Sequence, residues 1–155
     1  MERMLKLPIE DDKDLLVEYG RVFAWINSIE MMLQQLICFK GNLHLIDKTL
    51  KEKLLGRKTL GQKIEIAIGL IDPELITELR LLNEKRVLLA HNATAQELYL
   101  SDKEQKKGNH VIGIGEKQQI LTVNFLHEIT ELAQSLSVKL HGAFLKGTKF
   151  AEKTL

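Results

Sequence analysis

The stretch Leu82-Asn83-Glu84-Lys85-Arg86-Val87-Leu88-Leu89-Ala90-His91-Asn92 decides how the chain is read. Its apolar residues continue a stripe that starts upstream as Leu75, Leu79 and Leu82 and then meets Arg86 before Leu89. Steps of three and four are the period of an α-helix with one face turned to a core. Asp72-Pro73-Glu74 starts that helix, with an acid at the cap, a proline that needs no N–H in the first turn, and a glutamate near the positive dipole end. The helix therefore begins at Pro73 and carries a guanidinium on its inward face.

Working back toward the N-terminus, Asp11 and Asp12 suit a helix start. Leu16, Tyr19, Phe23, Ile26, Leu33 and Ile37 then step at helical spacing, so the first helix spans roughly 12 to 39. Gly41 is expected to close it as a left-handed cap. Glu30 falls on this stripe, which makes it an acid on an inward face. Asp47 caps a short helix over about 48 to 55, stopped by Gly56. Thr59 and Gln62 have capping-box spacing before a third helix over about 60 to 71, with Leu60, Ile64, Ala67, Ile68 and Ile71 inward.

Beyond Asn92, Ser101 to Gly108 reads as an exposed polar loop. His110 to Ile114 and Ile120 to Val123 make a small hairpin around Gly115-Glu116-Lys117. A last helix over about 124 to 146 packs Phe125, Ile129, Leu132, Leu136, Leu140 and Phe144 and stops near Gly147, leaving a frayed tail from Thr148 to Leu155. The expected fold is all-α: an up-and-down bundle of four to five helices with a small β-hairpin before the last helix, in one domain over residues 1–155.

Composition agrees with that reading. Hydrophobic residues at 45% and charged residues at 28% fit a globular chain of 155 residues with one core. Two prolines and few aromatics favour helices. Lys or Glu interrupts every apolar run, so no membrane span is expected, and no secretory signal is read at the N-terminus, which makes the cytoplasm the expected compartment. The single cysteine, Cys38, reads as packing. A net charge of +1 excludes RNA binding by bulk charge, but a local basic run from Lys48 to Lys63 offers Lys51, Arg57, Lys58 and Lys63 as candidate RNA contacts, with a solvated helix face as the plainer reading. His44, His110, His127 and His141 show no metal-ligand spacing, and no phosphate loop is present; no cofactor and no metal are expected.

Two charges on two inward stripes imply a pair, because an isolated buried ion is costly. Glu30 is therefore expected to meet Arg86 and fix its guanidinium. His91 is five residues after Arg86 and so points about 140° away on a regular helix. Glu84, seven residues before His91, is its same-face neighbour. Either the helix loosens at Ala90-His91-Asn92, or a second subunit completes the site.

The first helix from Gly20 through Glu30 to Leu36, then Thr59-Leu60-Gly61-Gln62, then Arg86 with four residues to His91, resembles the HEPN superfamily of small helical bundles. It is also similar to the branch of that superfamily that includes the mannitol operon repressor. The resemblance covers about residues 12 to 146 and implies a metal-independent ribonuclease, often a toxin or defence effector, that dimerises so two Arg-His motifs share one cleft. On that basis Arg86 and His91 are the catalytic pair, with Glu30, Asn83, Glu84 and Asn92 in support. Many members have Asn after the Arg where this chain has Val87. The same resemblance implies a homodimer, with RNA and a cognate antitoxin or regulatory protein as partners. Its other branch implies a non-catalytic dimeric module in transcription regulation or protein interaction.

Overall fold

The computed structural model describes residues 12–41, 47–92, 110–112 and 119–153. Among these, α1 is Lys13–Lys40, α2 is Lys48–Lys51 continued by a π-helical turn Glu52–Gly56, α3 is Leu60–Ala67, and α4 is Pro73–Asn92. Strands β1 (His110–Ile112) and β2 (Gln119–Leu121) then precede α5, Val123–Lys153. The protein is an all-α bundle with a small β element before its last helix.

Local chemistry sets most helix starts. The Asp12 carboxylate accepts from the Leu15 N–H at 3.1 Å and opens α1, while Asp47 accepts from the Thr49 N–H at 2.8 Å and opens α2. Thr59 and Gln62 form a reciprocal capping box: the Thr59 hydroxyl accepts from the Gln62 N–H at 3.3 Å, and the Gln62 side chain accepts from the Thr59 N–H at 2.9 Å. The strands pair antiparallel, with Val111 opposite Ile120, and send Ile112 and Leu121 into the core.

Several expected boundaries are corrected. Gly41 ends α1 at φ −84°, not in the left-handed region, with its N–H donating to the Ile37 carbonyl at 2.8 Å. Helix α3 ends at Ala67 and not at 71; Ile68 turns out to solvent, and Gly69 takes φ +85°, the left-handed conformation that glycine adopts without steric cost. Helix α5 runs through Gly147 to Lys153. One interior glycine costs a helix only about 1 kcal/mol, so Gly147 need not stop it. Asp11 and the loop Ser101 to Gly108 lie outside the described residues.

The core stripe of α1 is Leu15, Val22, Ile26, Ile29, Leu33 and Leu36, with Tyr19 completing it half-buried; the expected Leu16 is exposed. These positions alternate steps of four and three, the 3.5-residue repeat of a coiled-coil seam. Helix α5 answers with Leu126, Ile129, Ala133, Leu136 and Leu140, where Leu126 and Ala133 replace the expected Phe125 and Leu132 as the fully buried positions.

Contacts along this seam fix direction. Glu18 meets His127, Met32 meets Ser137, and the Phe39 and Phe144 rings lie 5.3 Å apart, so α1 and α5 run parallel. Glu78 pairs with Lys139 while Lys85 stands over the Phe125 ring, so α4 runs antiparallel to α5. Helix α1 is also long and apolar enough to cross a membrane by length and composition, against the expectation that charges interrupt every run. Only Glu30 is charged between Val22 and Phe39, and here the apolar stripe is packed inside the bundle.

Candidate functional site

Arg86 continues the inward stripe Leu75, Leu79, Leu82, Arg86, Leu89 as its spacing requires, and its side chain is half-buried. Its Nε–H donates to Asn83 Oδ1 at 3.2 Å, one turn back on the same helix. Asn83 is in turn pressed against α3. A Cβ placed on Gly61 would sit 3.0 Å from the Asn83 amide nitrogen, so the absence of a side chain at 61 is what admits this approach. Thus Gly61 makes room for Asn83, and Asn83 orients the guanidinium.

The expected Glu30–Arg86 pair is not formed. Ile29 takes the innermost position on α1, and Glu30 turns toward α3, where the Lys63 ammonium donates to its carboxylate at 2.7 Å. Lys63 is only 6% exposed, which removes it from the set of possible RNA contacts; its charge is spent inside the fold. A lysine reaches a point partner from a flexible stem, whereas the Nε–H of Arg86 is already engaged by Asn83 one turn back on its own helix. The remaining basic candidates stay accessible: Arg57 and Lys58 are exposed and Lys51 is half-buried. Glu84 is exposed.

Helix α4 remains α-helical through Asn92, so no break at Ala90 turns position 91 back toward position 86. The two positions stay about 140° apart around the axis. The side chains of His91 and Asn92 lie outside the described set.

What ties α4 to α1 beyond Arg86 is a residue that periodicity marked only as packing. The Tyr19 hydroxyl donates to the Leu89 carbonyl at 3.1 Å, three residues after Arg86. Burial pushes the Tyr19 phenol above its ordinary value of 10. The Tyr19 ring also tilts against Phe23 with centroids 4.9 Å apart.

Beside Tyr19 stands a second polar group that the sequence did not signal. Glu18, 13% exposed in its side chain, faces His127 Nε2 of α5 at 3.2 Å and Arg21 at 3.7 Å. Arg21 is its i,i+3 neighbour on α1, but His127 is more than a hundred residues away in the chain, so no local spacing foretells that partner. One end of the bundle therefore gathers Glu18 and Tyr19 from α1, the last turn of α4, and Lys85, Phe125 and His127 from α4 and α5.

No three of His, Cys, Asp and Glu group as metal ligands among the described residues. No family model, no curated protein and no solved structure matches the chain.

Proposed function

We propose that the protein is a metal-independent ribonuclease of HEPN type acting as a homodimer, with Arg86 and His91 as the reacting groups. The observation that carries this reading is the held guanidinium: Arg86 is half-buried, bonded to Asn83, and set on a helix that Tyr19 ties to α1 at Leu89. A fixed planar cation suits the charge that develops on a scissile phosphate, and an imidazole that titrates near neutrality suits proton transfer from a ribose 2′-hydroxyl. The 2′-oxygen attacks the adjacent phosphorus, its proton passes to His91, and the bond to the 5′-oxygen breaks, leaving a 2′,3′-cyclic phosphate and a 5′-oxygen that takes a proton from water to become a hydroxyl. Because α4 stays helical through Asn92, a second subunit is the route by which Arg86 and His91 come to one cleft. Arg57 and Lys58 supply accessible charge for the RNA backbone.

The test is RNA cleavage in EDTA. Wild-type protein cleaves, and His91→Ala lowers the rate by about 10²- to 10⁴-fold, the usual share of one general acid or base, while the far-ultraviolet circular dichroism is unchanged. Intact RNA after incubation with wild-type dimer overturns the reading.

A second reading, a non-catalytic dimeric module for regulation or protein interaction, draws on α1. Its exposed residues between Val22 and Phe39 are Ala24, Asn27, Ser28, Met31 and Gln35, an uncharged strip in a chain that is 28% charged. Such a strip suits contact with protein. In this case Met31→Lys abolishes self-association and partner binding, and His91→Ala leaves both unchanged.

A further inference from the structure

The opposite end of the bundle holds an open pocket of about 490 Å³, within the range that small-molecule sites occupy. It opens where α4 begins; its α4 residues Glu74, Leu75 and Glu78 precede Arg86 by about 12 to 18 Å along that helix, so it is separate from the Arg86 site. Its walls differ in sign. Lys40 at the end of α1, with Lys139 and Lys146 one heptad apart on α5, makes one side basic; Asp72, Glu74 and Glu78 at the start of α4 make the other acidic.

Lys139 and Glu78 neutralise each other across the pocket. That leaves two ammonium groups facing two carboxylates. The floor between them is apolar, formed by Leu70, Ile71 and Leu75, and Ile71 and Leu75 belong to the core. Gly142 lies between the two α5 lysines with open space where a Cβ would project, which keeps the basic wall clear.

We infer that this pocket binds a small zwitterion with an apolar body, of the size and chemistry of a short apolar peptide. The carboxylate end meets Lys40 and Lys146, the ammonium end meets Asp72 and Glu74, and the side chains cover Leu70 and Leu75. A purely anionic ligand would satisfy one wall and leave the other facing like charge, and a purely cationic one the reverse. Complementarity to both walls selects a ligand carrying both charges.

The test uses the dipeptide leucyl-leucine, followed by amide chemical shifts on the full-length protein. Shifts are expected at Gly69, Gly142 and Leu70. N-acetyl-leucyl-leucine and leucyl-leucine amide, each lacking one charge, are expected to bind at least about tenfold more weakly, the loss of a charge-assisted contact. Gly142→Leu, which meets no atom within 4 Å at its Cβ, fills the space and abolishes the shifts while the fold is retained. Lys146→Gln, a change at an exposed position, weakens the dipeptide and leaves the amide form unaffected. Absence of binding by leucyl-leucine overturns the proposal, and so does equal binding of all three compounds. Neither result bears on RNA cleavage, which is read separately.

Discussion

The Lys63 ammonium and the Glu30 carboxylate, 33 residues apart in the chain, meet at 2.7 Å between α3 and α1 with the lysine almost wholly buried. The pair is asymmetric, since the Glu30 side chain keeps 28% of its exposure. Removing the acid therefore strands a buried cation, while removing the cation leaves an acid that reaches water. Glu30→Leu is expected to cost about 2 to 3 kcal/mol, and Lys63→Met about 1 kcal/mol. The double variant is expected to lose less than the sum, because two apolar chains replace the whole pair. Urea denaturation of the three proteins checks this; additive losses would contradict direct coupling.

Tyr19 gives a pH signature. Its phenol is raised in the folded state by burial, so the folded chain holds that proton more firmly than the unfolded chain. The sign follows from linkage: this contribution is complete below pH 10 and is lost as pH rises through the raised folded value. Tyr19→Phe removes the bond to Leu89 and costs about 1 kcal/mol at neutral pH. It also flattens the alkaline fall in stability, measured as denaturation midpoints above pH 9.5 to 11, roughly the range where tyrosine ionises. An unchanged alkaline limb in the variant would place the titrating group elsewhere.

Gly61 and Asn83 couple α3 to the guanidinium. Gly61→Ala gains helix propensity of about 0.5 to 1 kcal/mol but forces Asn83 to give way, so net stability moves by less than about 1 kcal/mol. RNA cleavage, by contrast, is expected to fall about tenfold as Arg86 loses its held geometry. The Gly61→Ala, Asn83→Ala double variant is expected to be more stable than Gly61→Ala alone, since the clash is gone. Rate and stability measured on the same samples separate the two effects.

Thr59 carries the capping box of an eight-residue helix, too short to stand without it. Thr59→Ala is expected to cost about 1 kcal/mol, and amide hydrogen exchange should quicken first at Lys63 and Ile64. Uniform quickening across the chain would mean that α3 does not open on its own.

What could be read from the residues alone was what they settle over three or four positions. Asp12, Asp47 and the Thr59–Gln62 box open helices by bonds to neighbouring N–H groups, so their spacing carries them. The inward place of Arg86 was equally legible, because one stripe of leucines brackets it. The partner of Glu30 was not. Lys63 sits in a run of basic residues that looks solvent-facing, and only the docking of α3 on α1 buries it. The phase of α1 was ambiguous for a similar reason: Leu15 and Leu16 are both apolar, and the choice between them is made by α5, not by α1. Tyr19 meets Leu89 of α4, and Glu18, besides its neighbour Arg21, meets His127 of α5; both partners are far along the chain, so these two contacts had no local signature.

The parallel seam between the first and last helices has a consequence for synthesis. Contacts such as Met32 with Ser137 span 105 residues, so α1 emerges from the ribosome long before the surface that covers it exists. Through that interval its apolar stripe has α3 and α4 to lean on, and the uncharged exposed positions from Ala24 to Gln35 beside it offer little repulsion. Nascent chains in this state invite chaperones and self-association, and loop closure over such a span is slow. A chain truncated before Val123 leaves that stripe uncovered permanently, so the last helix acts as the chain's own late-arriving chaperone.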